Sequence, residues 1–342
     1  MYLKVKDSFR EPKQDGARHP AAAVPIRAAR RTLRALALSR WRLGGAHGQT
    51  ALFAAALNYT RDNGRVKWDC FLLPVCAFLF AAQSIYAFAN LTPQAAGTFD
   101  RYVDRAEARM QADFQPGLFL HSDAKPELKT KLRNGELVIE SASAFNGGNQ
   151  EEIPGGMIQD WLGTMFMPGA TLQDVNAVLR DYENYKNFYK PKVIESKELA
   201  HSDDEYEVFL RLYEKHVLTV VLNTTYHVRY GMLDPQRMYV TSRSTRIAEA
   251  KDSKESYAEE HPVGNDTGFL WRLNSYWRFE AADGGVYAEC EAISLSRDVP
   301  LGLGWMIKGF LEKFPKESMM NTLRGTRSAV AGRALGSPAS AR

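Results

Sequence analysis

Residues Gly268 to Arg297 read GFLWRLNSYWRFEAADGGVYAECEAISLSR. Two alternating runs flank Asp283-Gly284, a dipeptide that supplies the positive φ angles of a two-residue hairpin turn. With that dipeptide at the turn, Phe279 faces Ala288, Trp277 faces Cys290, Ser275 faces Ala292, Leu273 faces Ser294 and Trp271 faces Ser296. Large side chains then meet small ones on a single face, which leaves uneven volume there. On the other face Arg278 meets Glu289 and Tyr276 meets Glu291, a pattern that predicts a solvated surface. A slip of one residue would exchange the faces, so the turn carries the assignment.

Upstream of the hairpin, strand-like segments fall at about 192–200, 205–215, 217–230 and 237–249, separated by polar turns such as Ser202-Asp-Asp204 and Leu233-Asp-Pro235. With 268–280 and 285–297 they predict a six-stranded antiparallel meander. Before it, GMIQDWLGTMFMP (156–168) has the apolar density of a further strand. Thr171 is a good N-cap for a helix with Asp174 in its first turn and Leu172, Val175, Val178 and Leu179 as its buried stripe. DYENYKNFY (181–189) is a second, aromatic helical turn closed by Pro191. After the hairpin, Pro300 to Val330 has a helical pattern interrupted at Pro315: Leu303, Met306, Ile307, Phe310, Leu311 and Phe314 form a stripe before it, and Met319, Met320 and Leu323 continue it.

The N-terminal third differs in kind. The chain of 342 residues has a formal charge of +4, yet residues 1–89 hold 14 Lys or Arg against 5 Asp or Glu, and residues 90–342 hold 30 against 35. Residues 1–65 are rich in Arg and Ala with no sustained period, which predicts no packed core. Arg65-Val-Lys67 then precedes an uncharged run, CFLLPVCAFLFAAQSIYAFA (70–89), ending in Ala87-Phe88-Ala89. A basic flank, an apolar stretch and a small-x-small end predict a secretory signal peptide over 66–89, cleaved near Ala89. A single membrane anchor at 70–89 and a buried core helix are the alternatives, because the run is about as long as the roughly 20 residues of a span. Signal peptides are normally about 15 to 30 residues long, so the 65 residues ahead of this one predict a true start at Val66, read from a GTG codon.

The expected mature protein is therefore acidic, exported to a periplasmic or extracellular space, and left with Cys290 as its one thiol, which excludes an intramolecular disulfide framework. Asn90 to Gly97 reads as a linker. From Thr98 to Phe114 an amphipathic helix is expected, with Phe99, Tyr102, Val103, Ala106 and Met110 on one side. Residues 115–134 show no clear period, and 135–142 alternate weakly as an edge strand. The expected division is thus 1–65, a leader at 66–89, a helical extension at 90–152, a main domain at 153–331 and a flexible tail at 332–342.

One strand, two short helices, six antiparallel strands and a long C-terminal helix resembles the START-related, polyketide cyclase-like superfamily with its helix-grip fold. The resemblance covers roughly 153–327. It rests on Gly169-Ala-Thr171 with its helix, on DYENYKNFY, on the Gly268 to Trp277 strand and on Ser294-Leu-Ser-Arg297-Asp298-Val-Pro300 before the last helix. It implies an α+β fold in which a curved antiparallel sheet wraps the long C-terminal helix around a hydrophobic ligand cavity. Residues alone favour a filled core about two to one, and the resemblance reverses that ordering.

Tyr226, Trp271, Leu273, Ser275, Trp277 and Met306 are the candidate cavity residues, with Tyr226 and Ser275 as polar contacts. Arg297 and Asp298 are a headgroup clamp or, more simply, an ion pair with a helix cap. The seven histidines show no paired metal-ligand spacing and no Gly-x-Ser-x-Gly elbow occurs, so neither a metal, a cofactor nor a catalytic residue is expected. Cys290, predicted inward, should be inert. The expected partner is a hydrophobic small molecule or lipid, with transient membrane contact compatible with it; nucleic acid is disfavoured because the basic surplus lies in residues 1–89, in the leader and the stretch upstream of it, and no protein partner is indicated. The rivals are a cyclase or aromatase-type enzyme, which needs a titratable group inside the cavity, and a noncatalytic envelope module that docks through residues 98–152.

Overall fold

The computed structural model describes residues 61–62, 65–66, 89–115, 117–146, 153–215, 219–252, 257–298 and 304–336; over 304–313 it describes the helix backbone alone. Most of the leader and the Arg/Ala-rich stretch, the apolar stripe at 303–311 and the end of the tail lie outside it. β1 (Arg61–Asp62) and β2 (Arg65–Val66) pair with each other within a separate unit, Met1–Leu72. All that follows concerns the second unit.

Its first elements are β3 (Ala89–Asn90), α1 (Pro93–Ala112) and α2 (Pro126–Arg133). Thr92 caps α1 by accepting from the Ala95 N–H, and Pro93 occupies the first turn, where its missing N–H is harmless. The stretch expected as a linker is therefore a strand and a helix start. Thr-Pro ahead of the apolar stripe was its signal.

β4 (Val138–Ser141) and β5 (Gly156–Pro168) lead to α3 (Leu172–Leu179), the turn at Tyr182–Asn184 and α4 (Tyr185–Phe188). At the head of α3 Thr171 and Asp174 form a reciprocal capping box. Then come β6 (Val193–Ser202), β7 (Glu205–Lys215), β8 (Thr219–Asp234), β9 (Arg237–Glu249), β10 (Asn265–Asp266), β11 (Arg272–Ala282), β12 (Gly285–Arg297) and α5 (Gly304–Gly336).

Eight strands form one curved antiparallel sheet in the order β4-β5-β12-β11-β9-β8-β7-β6, and β10 pairs with β3. This is the α+β, helix-grip arrangement, with α5 packed on the inner face. The hairpin register is the expected one from Leu273↔Ser294 to Phe279↔Ala288, turning at Asp283 and Gly284, both at positive φ. Two departures concern α5: Pro315 lies inside a continuous helix rather than breaking it, and Arg333 to Gly336 remain helical. At Gly163 of β5 an added Cβ would come within 2.7 Å of Met319 Cγ, and at Gly325 within 2.6 Å of the Phe188 carbonyl.

The outer face of the sheet is not solvated. Arg278, Glu289, Glu291 and Tyr276 are each no more than 5% exposed, because residues 93–133 lie over them. Phe99, Tyr102, Val103, Ala106 and Met110 of α1 pack with Tyr276, Ile293 and Leu295, while Phe119, Leu120, Leu128 and Leu132 pack with Phe166 and Tyr287. Polar groups match across the layer. Tyr102 donates to Asp160 (2.7 Å), Arg109 to Glu291 (2.5 Å), Tyr276 to Glu107 (2.7 Å), and the backbone N–H groups of His121 and Ser122 to Glu289 (2.7 and 2.9 Å). Buried carboxylates of this kind persist only when paired.

Candidate functional site: a cavity between the sheet and the C-terminal helix

Three rows of inward side chains on the central strands make the cavity floor. One runs Val240, Trp277, Cys290, Gly163; the next Ser242, Ser275, Ala292, Trp161; the third Leu273, Ser294, Gln159. Small residues in all three rows, Gly163, Cys290, Ser242, Ser275, Ala292 and Ser294, leave open space beside Trp161, Trp277 and Leu273. Over them lies α5, through Phe314, Pro315, Ser318, Met319 and Thr322. The cavity has a volume of about 270 Å³, and its walls are dominated by Val, Leu, Trp and Tyr.

One end is closed by tyrosines. The Tyr182 and Tyr230 hydroxyls meet at 2.6 Å, Tyr230 and Tyr185 donate to the Leu179 carbonyl, and Tyr189 pairs with Thr326 at 3.1 Å. Burial holds the phenols of Tyr182, Tyr185 and Tyr230 well above the usual range and pushes Tyr226 and Tyr189 up to about 12. All stay neutral at physiological pH. Arg180 stacks over Tyr230 from outside, 4.2 Å from the ring centre.

At the other end lie Gln159, Leu212, Leu273 and Ser294, each half-buried. Lys192 and Glu214 form an ion pair there, with the Lys192 ammonium 5.4 Å from the Phe314 ring. Burial raises the Glu214 carboxyl above its ordinary range; Lys192 opposes that shift, and Glu317 adds to it. Sequence reading missed this pair. Its two members sit just before β6 and at the end of β7, and only the Val193↔Leu212 pairing brings them together.

Of the candidate residues, Tyr226, Leu273, Ser275 and Trp277 line the cavity. Trp271 does not. The ladder ends at Arg272↔Leu295, the Trp271 N–H bonds the Leu295 carbonyl, and the indole donates to Asp266 (3.0 Å) within the outer cluster under α1. The strict alternation assumed for it stops one residue earlier. Met306 is on α5, but its side chain lies outside the described residues.

Arg297 and Asp298 are not in the lining. Arg297 donates to the Thr267 carbonyl at 3.2 Å and packs against Gly268; burial lowers its pKa and the Asp298 charge opposes that. Asp298 is exposed, and the helix start between it and Gly304 lies outside the described residues. Cys290 faces the cavity, its thiol pKa raised by burial.

Among the described residues no three His, Cys, Asp or Glu side chains cluster as a metal site requires, and no helix is long and apolar enough to cross a membrane. The arrangement can enclose an apolar body and offers one ion pair and a few hydroxyls to it.

No family model matches the chain, and no curated protein matches it. Among solved structures it is similar to a STAR-related lipid transfer protein from Xanthomonas axonopodis (18% identity, 53% of this chain and 96% of that one, TM-score 0.35). It is similar also to the Zhui aromatase/cyclase from a Streptomyces species (14%, 52% and 95%, TM-score 0.37) and to a START superfamily protein from Mycobacterium smegmatis (10%, 53% and 98%, TM-score 0.29). The assignment of the fold rests on the strand order and on the helix across the sheet.

Proposed function

We propose that this protein binds a hydrophobic small molecule or lipid in the cavity between the sheet and α5, and carries it outside the cytoplasm. The observation behind this reading is the cavity itself, walled by aliphatic and aromatic side chains where close packing is the rule for a core of this size. Lys192 and Glu214 in its lining suit the polar part of such a molecule. Export is supported by the basic flank, apolar run and small-x-small end at 66–89. N-terminal sequencing of the exported protein tests it, and a mature end far from Asn90 would refute it.

Titration of delipidated protein with the uncharged fluorophore N-phenyl-1-naphthylamine tests the binding. Saturable enhancement, abolished by filling the floor with Ala292→Phe, is the expected result; no uptake by the wild-type protein would contradict it.

A second reading, an enzyme of the cyclase or aromatase type, is favoured by the same ion pair, which is a titratable group facing the cavity. It predicts that bound polyketide-like chains are recovered chemically altered, and that Glu214→Gln stops the change without stopping binding.

A further inference from the structure

We infer that Ser242 and Ser275 are the polar recognition point of the cavity, and that they select an uncharged ligand carrying a carbonyl or hydroxyl oxygen part-way along an apolar body. This deepens the binding reading above and rests on it.

The tyrosine and threonine hydroxyls lining the cavity largely have protein partners. Tyr182 and Tyr230 bond each other, Tyr185 donates to Leu179, Tyr189 pairs with Thr326, and Thr322 donates to the Ser318 carbonyl at 3.1 Å. The serines of the floor differ. Ser242, Ser275 and Ser294 line the cavity and none makes a side-chain hydrogen bond among the described residues.

Valine or alanine at these strand positions would wall an apolar cavity without desolvating a hydroxyl, and β-branched residues suit strands better than serine does. Ser242 and Ser275 are also directly opposed on β9 and β11. Directly opposed residues hold their Cβ atoms about 4.5 to 5.5 Å apart, so two hydroxyls reaching about 2.7 to 2.8 Å can meet on one ligand oxygen. A serine both donates and accepts, which admits a carbonyl or a hydroxyl equally.

The restriction to an uncharged ligand follows from the lining. Its one lysine, Lys192, is already held by Glu214, and no arginine lines the cavity among the described residues. An anionic oxygen at the serines would be desolvated with no unpaired cation among the described lining residues to compensate it.

The test compares naphthalene, 2-naphthol and 2-naphthoate binding to the delipidated full chain, followed by quenching of tryptophan fluorescence. A plain apolar cavity favours the hydrocarbon, because the naphthol hydroxyl must leave water. The expected result is instead 2-naphthol about tenfold tighter than naphthalene, equivalent to about 1.4 kcal/mol, with 2-naphthoate weaker than both.

Joint substitution Ser242→Ala and Ser275→Ala should remove that preference while naphthalene still binds, and Ser275→Thr, which keeps a hydroxyl, should retain it. Equal binding of naphthalene and 2-naphthol by the wild-type protein overturns the assignment, whatever the variants do. So does a preference that survives the double substitution. If no probe binds the wild-type protein at all, the binding reading itself fails and this one falls with it; binding without preference overturns this one alone.

Discussion

Glu289 and Cys290 are neighbours on β12 and serve opposite layers of the protein. The Glu289 carboxylate accepts from the His121 and Ser122 backbone N–H groups and from Arg278, while the Cys290 thiol lines the cavity. The strand is thus shared. Its odd-numbered side chains anchor residues 93–133 to the outer face and its even-numbered ones form the floor of the site, so the N-terminal segment is part of the binding domain.

Removing one partner of this buried network should be costly. Glu289→Ala takes from Arg278 its hydrogen-bonded carboxylate, leaving it Asp113 at 3.5 Å and the charge of Glu291, and leaves the His121 and Ser122 N–H groups without their acceptor. A loss of about 3 to 5 kcal/mol is expected, read as a lower urea midpoint with an unchanged slope. A loss under about 1 kcal/mol would mean that the network is not closed in solution.

The same layering makes a truncation prediction. A chain beginning at Ile153 bares Tyr276, Ile293, Leu295 and the paired carboxylates together, and should be recovered aggregated or with exposed apolar surface. A chain beginning at Asn90 should unfold cooperatively. Cooperative, soluble behaviour of the shorter chain would show that the extension is dispensable.

The hairpin and meander were legible because their signals are local: Asp283-Gly284 fixes the register, and the period of two assigns the faces. Which face meets water is not local information. Arg278 opposite Glu289 reads the same whether solvent or a second protein layer covers it, and the covering segment lies over 150 residues upstream. Trp271 misled for a related reason, since alternation holds only inside the ladder. Lys192 and Glu214 carry no motif at all, and only the folded sheet brings them together.

At Gly163 α5 comes close to the sheet. Gly163→Ala would set a methyl 2.7 Å from Met319 Cγ and 2.9 Å from Leu323 Cδ1. The flexible methionine can yield in part, so about 1 to 3 kcal/mol of destabilisation is expected, with apolar-probe affinity altered because the helix forms the cavity roof. Unchanged stability and affinity would contradict this packing.

Glu214 should leave a pH signature. Its pKa is raised in the folded protein, so between the unfolded and folded values the native state binds the extra proton. Stability from this group is complete below the unfolded value near 4.5 and is lost as pH rises through the folded one. The wild-type protein should therefore lose stability relative to Glu214→Gln as pH rises from about 4.5 toward neutrality. A difference that stays flat across that range would show that the carboxyl is not buried as described.

Tyr230→Phe should cost about 1 to 2 kcal/mol, because the Tyr182 hydroxyl and the Leu179 carbonyl each lose a partner in the closed end of the cavity. Tyr182→Phe should cost less, since Tyr230 keeps its bond to Leu179. Chemical denaturation of the two variants gives the order, and the reverse order would contradict this hydrogen-bond chain.

Native mass spectrometry of the protein purified from its own host tests most directly whether the cavity holds a hydrophobic molecule. The predicted spectrum shows the polypeptide plus a small mass that organic extraction releases and that is missing from the cavity-filled Ala292→Phe variant. The bare polypeptide mass in the wild-type protein, with no uptake of apolar probes afterwards, would contradict it.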